Sequence, residues 1–403
     1  MLVDCHFNII DSWFFRESRG LDAIGAGASS SLFPPPVSTL AGALRTSIGD
    51  QLGVDWQAFA QQKSLPEHHH LLGTGSNLGA LTLCGPFLQE CEPGTSKVSM
   101  LYPAPAGLFS ATTIEKGQSQ TTLHRISIGA SVQCDMGYLA LPQLKPTSPA
   151  GSKPLQNTWI TADGLQQWLS GKIPEASALR SLDDLICQDS RLGIGRNNAT
   201  STVTDGLLYQ TQHVRFKTPN LAVYLQVSGM PKDVHDATED HVVRLGGEGR
   251  QASMRVKQNV PSWQPPKAQV CPANGLVLML TTAAQHAKDI MDQPLPGFEA
   301  VLNEAGQVTH WLGEIQGVAL KLISSVMPRM VRVGGWDQQQ HQAKPLTSLL
   351  APGTIYYCTL ENQGDSLADA IEAINGCQVG QGQASGYGQL VAGYWPKQDS
   401  ASK

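Results

Sequence analysis

The 403-residue chain carries little charge: Asp, Glu, Lys and Arg make up 15% of it against 41% hydrophobic residues, a balance that excludes a disordered chain and fits a globular one. No apolar run reaches 18 residues, so no membrane helix is expected. The opening Met1-Leu-Val-Asp-Cys-His lacks the basic and apolar regions of a signal peptide, and the expected location is the cytosol. Eight cysteines fall at positions 5, 84, 91, 134, 187, 271, 358 and 377 with no C-x-x-C among them, which argues against a zinc site or a disulfide framework. G-x-x-x-x-G-K-[ST] is absent, excluding a P-loop. Arg191-Leu-Gly-Ile-Gly-Arg-Asn-Asn198 carries asparagine where a dinucleotide fingerprint needs its third glycine, and no βαβ pattern follows. No cofactor or metal is expected; the run His68-His69-His70 reads as a solvated loop, since three consecutive side chains cannot all face one ion.

A net charge of −5 counts against a protein that coats RNA along its whole surface, because phosphate binding draws on Lys and Arg. The average hides local bias. From Arg191 to Lys257 there are nine basic against six acidic residues, and from Gln316 to Leu360 four against one. Such separation suits a local RNA site on an otherwise acidic protein, although scattered surface charge gives the same counts.

What is abundant is glycine and proline, 40 and 25 residues, which with the length argues for a β-rich α+β protein of two domains. Val3, Cys5, Phe7 and Ile9 alternate within Leu2–Ile10, the period of a strand. After Trp13-Phe14-Phe15-Arg16 comes a glycine- and serine-rich loop through Ser31, and Pro34-Pro35-Pro36 then forces extended backbone. A helix is predicted next, capped by Ser38, with Leu40, Leu44 and Ile48 as its buried stripe. Leu207–Phe216 with Asn220–Val227, and Val242–Leu245 with Ala252–Val256, read as two hairpins. The domain boundary is placed in the proline-rich stretch Val260–Pro272, giving domains 1–259 and 260–403.

The last fifty residues read as strand Thr354–Leu360, helix Ser366–Ile374, a glycine-rich loop and closing strand Gln389–Trp395. That is the second half of a ferredoxin-like β-α-β-β-α-β unit. The loop, Gly380-Gln-Gly-Gln-Ala-Ser-Gly-Tyr-Gly388, holds four glycines in nine residues. Its exposed amides can meet a phosphate chain without side chains intervening, and Ser385 and Tyr387 add a hydroxyl and a ring for stacking. Taken alone it reads more readily as a structural turn. His6, opposite Phe7 on the first strand, is the one early candidate for a general base in RNA cleavage.

Phe14-Phe15-Arg16, Ser31-Leu-Phe-Pro-Pro-Pro-Val-Ser-Thr-Leu-Ala-Gly-Ala-Leu-Arg-Thr46, Leu101-Tyr-Pro-Ala-Pro-Ala106, Arg191-Leu-Gly-Ile-Gly195 with Gly206-Leu-Leu-Tyr209, Leu245-Gly-Gly-Glu-Gly-Arg250 and Ser385-Gly-Tyr-Gly388 form a series. In order and spacing it resembles the third subunit of the type III-B (Cmr) CRISPR effector complex. The resemblance implies a repeat-associated mysterious protein (RAMP) with two ferredoxin-like (RRM-like) domains and a β-hairpin thumb. Such a subunit is not a nuclease; it caps the 5′ handle of the CRISPR RNA and docks on the large polymerase-like subunit and on a backbone RAMP subunit. Carried onto this chain, the RNA-binding residues would be Arg16; Ser38, Thr39 and Arg45 at the first helix, where free amides and the macrodipole favour phosphate; Arg196 and Asn197 near the base of the thumb, with Tyr209; and Gly380, Gly382, Ser385, Gly386, Tyr387 and Gly388. The glycine loop itself contains no Lys or Arg, so the isolated chain is expected to bind RNA weakly. The rival reading is a metal-independent endoribonuclease that processes CRISPR RNA precursor with His6 as base.

Overall fold

The structure, a computed structural model, describes residues 1–397 except 18–27, 76, 92–93, 95–96, 116–117, 136, 146–147, 198, 233, 235–239, 287–292, 338–341 and 363. Most of the glycine- and serine-rich loop before Ser31 thus lies outside the described residues. The architecture is mixed α+β, mostly sheet with few helices.

In chain order the elements that matter are β1 (Val3–Ile9), α1 (Val37–Gln51), β2 (Thr82–Cys91), β3 (Val98–Pro103), β4 (Ser127–Cys134), β5 (Gly137–Gln143), β6 (Thr158–Thr161), α2 (Ala162–Leu169), β7 (Leu179–Ser181), β8 (Ile186–Asn197) and β9 (Thr202–Phe216). After these come β10 (Leu221–Ser228), β11 (Asp240–Arg244), β12 (Gln251–Gln258), β13 (Ala273–Leu280), β14 (Val308–Ile315), β15 (Val318–Val326), β16 (Ile355–Leu360), α3 (Leu367–Ile374) and β17 (Leu390–Pro396). One large sheet runs β7-β6-β3-β2-β10-β1-β12-β11, and a second runs β17-β13-β16-β15-β14-β5-β4 with Glu299–Leu302 added beside β14.

Side-chain alternation decides how these sheets stack. On β10, Val223 and Leu225 join Val3, Cys5 and Phe7 in a core under α1, while Tyr224 points to the opposite face. On β13, Leu276, Leu278 and Leu280 join Ile371 and Ile374 in a core under α3, while Val277 and Met279 face the other way. Those outward sets meet: Phe87, Tyr102 and Tyr224 of the first sheet, Val277, Met279, Ile355 and Tyr357 of the second, and Leu165, Trp168 and Leu169 of α2 form one buried cluster. The order of layers is therefore α1, first sheet, second sheet, α3. Both sheets are buried on two faces, which is why Leu221–Val227 is a nearly unbroken apolar run.

The stripe Leu40, Leu44, Ile48 is buried as expected, and the β11–β12 hairpin forms. Two expectations are corrected. The expected strands Leu207–Phe216 and Asn220–Val227 do not pair: β9 pairs with β8, whereas β10 lies between β1 and β2. A strand apolar on both faces needs a central place in a sheet, and the sequence Lys217-Thr218-Pro219 carries the chain from the ribbon into that place. His68–His70 belongs to a short helix, Pro66–Leu72, with His69 stacked on Phe59 at 4.2 Å between ring centroids.

The stretch 260–272 has neither helix nor strand, and both sheets hold it. Trp263 stacks on Phe87 at 5.1 Å and donates from its ring to the Tyr102 hydroxyl at 3.1 Å, while Asn375 donates to the Pro266 carbonyl at 3.1 Å. Leu44→Ala, which empties a fully buried position under the first sheet, should cost about 2–5 kcal/mol, read as a lowered midpoint in chemical denaturation.

Candidate RNA interface

The glycine loop is built from its neck upward. Val379 donates its amide to the Gly388 carbonyl, and Leu390 donates to Cys377, so the strands on either side close it. Gly388 has φ +74, and a Cβ there would run into the Val379 carbonyl; a side chain at this position is excluded by strain and by space together. Gly382 and Gly386, also at positive φ, bracket a 3-10 turn at Gln383–Ser385.

The lobe above the neck is clamped from both sheets. From the second, Thr282 donates its hydroxyl to the Gly386 carbonyl at 2.8 Å and accepts the Gln389 amide at 3.0 Å, and Gly388 donates to the Ala283 carbonyl. From the first, the bend at Gly85-Pro86 in β2 approaches so closely that a Cβ on Gly386 would meet the Gly85 carbonyl. Tyr387 reaches across to the core under α1, and Ser38 lies near enough to its hydroxyl to influence it. Burial, the larger effect, pushes the Tyr387 hydroxyl above its usual pKa, and Ser38 partly offsets this.

Ser38 is thus brought to the loop as the sequence suggests, by a different route. The residue that precedes the helix is Pro36, and Ser38 makes no capping bond. Val37 is buried and starts the first turn one residue early, which places the Ser38 hydroxyl beside Tyr387. Thr39 follows, half-buried. Arg45 points elsewhere: its guanidinium donates to the Gly73 carbonyl at 2.7 Å and the Gly75 carbonyl at 3.0 Å, tying down the end of the helix Pro66–Leu72. Tyr387 is half-buried and braces the loop, and Ser385 remains partly open.

The residues proposed for a thumb form a second group. β8 and β9 make a long ribbon extended by Ala28–Ser29, whose only described bonds are to β9. Arg196 and Asn197 pair with Val203 and Thr202 beside the turn, at the tip of the ribbon, and the base is Ile186 opposite Phe216. Placement at the base is therefore wrong, because the pairing continues ten residues below Arg196. The Arg196 side chain lies outside the described set. Tyr209 lies over Gly193, its cross-strand partner, and a Cβ on Gly193 would collide with the ring. On the opposite face Leu192, Ile194 and Leu208 are 74%, 56% and 60% exposed. Arg16, exposed, bridges to Ser31 where the chain approaches Ala28–Ser29.

The basic bias from Arg191 to Lys257 is partly neutralised at home. Arg191 and Arg250 both reach Asp11, at 3.1 and 2.8 Å, and Arg255 pairs with Asp240. Asp11 and the turn Gly246–Gly249 gather the dispersed motifs: Gly247 donates to the Phe14 carbonyl, and Phe14 stacks on His213 at 5.1 Å. Sequence reading found these motifs without their geometry and missed His213, which is buried between Ser12 and Thr211.

His6 is 8% exposed, edge-on to Tyr224 at 5.5 Å. Burial first, and Lys257 second, hold its imidazole below the usual 6.5, with Asp4 partly offsetting. Tyr224 donates to Asp4 at 2.7 Å, and burial pushes its hydroxyl above the usual range.

The chain is thus an α+β protein of two stacked sheets with a glycine-rich lobe clamped at their seam. It matches the model of the CRISPR-associated protein family Cas_Cmr3 over residues 8–395 and belongs to that family, the third subunit of the Cmr complex that the motif series resembles. No curated protein matches it. Among solved structures, a chain of the type III-B Cmr-beta bound to cognate target RNA is 16% identical with a TM-score of 0.45, and one bound to cognate target RNA and AMPPnP is 15% identical with 0.44. Each alignment covers 89% of this chain and 86% of the other. A chain of the Csm3-Csm4 subcomplex of a type III-A complex is 10% identical with a TM-score of 0.35, covering 89% and 92%.

Two outcomes follow for stability. Gly388→Ala should cost more than about 1 kcal/mol, seen as a lowered thermal midpoint. A histidine whose folded pKa is depressed contributes stability above its unfolded pKa that is lost as pH falls, because the unfolded chain takes up the proton first. Stability should therefore drop as pH descends below about 6.5, and His6→Gln should flatten that drop in denaturant titrations at several pH values.

Proposed function

We propose that this chain is the non-catalytic subunit that caps the 5′ handle of the CRISPR RNA in a cytosolic type III-B effector complex. In that role it bridges the large polymerase-like subunit and the backbone RAMP subunit. The observation that carries the reading is the packing of Tyr387 against the core under α1, with Ser38 near its hydroxyl, which joins the glycine lobe to the start of α1 across the seam. Phosphates favour backbone amides at positive-φ turns and at helix starts, and here the two kinds of group adjoin.

Strand order supports two ferredoxin-like units, lying within residues 1–259 and 260–403, with the β4–β5 hairpin of the first stretch added to the edge of the second sheet. The sets β12-β1-β10-β2 and β17-β13-β16-β15 are both antiparallel with the same order of first, third and other strands. The first unit keeps the helix after its first strand, α1, and the second keeps the helix after its third, α3. The exposed β8–β9 ribbon is read as the thumb. The burial of His6 weighs against its action as a general base, since an attacking hydroxyl must reach it.

Photocrosslinking of an assembled complex whose handle carries reactive nucleotides tests this. Handle crosslinks are expected on peptides holding 37–39 and 380–388; their appearance only elsewhere would overturn the proposal. Site-specific cutting of repeat RNA by the purified chain, abolished by His6→Ala, would establish the endoribonuclease instead. The isolated chain should bind unrelated RNA weakly and with strong salt dependence, as measured by filter binding.

A further inference from the structure

We propose that the cavity beside the glycine lobe is a nucleobase pocket for a single unpaired guanine. This rests on the RNA-binding reading above and adds a base contact to a backbone cradle. The cavity has a volume of about 370 Å³ and shares Gly380, Gln381 and Gln383 with the lobe. That is at the small end of the roughly 300–1,000 Å³ range of ligand pockets, room for a nucleoside and too little for a duplex.

Its lining is chemically unusual. Five carboxamides, Gln293, Gln316, Gln378, Gln381 and Gln383, surround one carboxylate, Glu314, and no Lys or Arg is present among the lining residues. His286 also lines the cavity, but a phosphate finds no Lys or Arg there and is repelled by Glu314, which favours a ligand whose polar part is neutral and rich in donors. Two of the amides are already oriented: Gln378 donates to the carbonyls of Gln383 at 2.9 Å and Tyr387 at 3.2 Å, and Gln383 donates to the Gly380 carbonyl at 3.2 Å. Their side-chain oxygens remain as acceptors. Gln293, 8% exposed, borders the cavity as well.

Glu314 decides between bases. A carboxylate accepts only, and the Watson–Crick edge of guanine offers it two adjacent donors, the ring N1–H and the exocyclic amine. Adenine and cytosine set one amine beside a ring acceptor that faces the carboxylate unfavourably. Uracil sets one N–H between two carbonyls. An RNA strand whose phosphates pass over the lobe can thus turn one guanine into the adjoining cavity, where the glutamines meet its remaining edge.

Saturation-transfer NMR on the full chain with guanosine, inosine and uridine as probes tests the pocket without needing an RNA backbone. Guanosine should give the strongest transfer, inosine, which lacks the exocyclic amine, roughly tenfold weaker binding, and uridine the weakest. Glu314→Gln, an exposed and nearly isosteric change, should bring the three within about twofold of one another with the thermal midpoint unchanged, and Gln381→Ala should weaken all three. Equal transfer from the three nucleosides, transfer from none, or a ranking that survives Glu314→Gln would overturn the pocket. Those failures leave the handle crosslinks of the capping reading untouched, whereas loss of the crosslinks with guanosine preference intact would sink the capping reading.

Discussion

The packing of one sheet against the back of the other is the constraint on which the rest of the molecule depends. Neither sheet faces water across its centre: each gives one face to a helix-covered core and the other to the shared cluster of Phe87, Tyr102, Tyr224, Val277, Met279 and Tyr357. Two-sided burial forces continuous apolar strands, and it rewards polar groups between the sheets that pair with one another. Asp4, Tyr224, Gln226 and the Trp263 amide do so as a connected set, with Gln226 donating to Asp4 at 2.9 Å and accepting from Trp263 at 2.7 Å. The linker 260–272 is thereby part of the joint between the sheets.

From that joint comes the position of the glycine lobe. Strand β17 enters the second sheet at its edge beside β13, so the loop that precedes it emerges where β2 of the first sheet bends. Thr282 and Ala283 hold it from one side and Gly85 limits it from the other. The glycines there answer to crowding as much as to conformation: a methyl group at 386 or 388 has nowhere to go.

Much of this was legible in the sequence, and the reasons for success and failure are physical. Local periodicity found β1, α1 and the run from β16 through α3 to β17, because alternation and helical stripes are properties of neighbouring residues. The hairpin assigned across Lys217–Pro219 failed because strand pairing is a long-range choice, made here by apolar demand on both faces of β10. The motif series identified the family, since glycines and prolines at fixed spacing mark backbone shapes that the fold reuses. It misplaced Arg196 at the base of the ribbon, because the length of β8 and β9 is set by cross-strand pairing that no local signal announces. Arg45 and Ser38 show the same limit: helix position was readable, and the Gly73 carbonyl and the Tyr387 hydroxyl that occupy them come from distant segments.

The clamp on the glycine lobe has one more consequence. Because its shape needs Thr282 from one sheet and the Gly85 bend from the other, any molecule that grips the lobe in this shape also favours the seated arrangement of the two sheets, by the ordinary linkage between binding and conformation. Occupancy of a surface turn is then felt as tightening of a buried joint, and loosening of that joint would be felt as weaker grip.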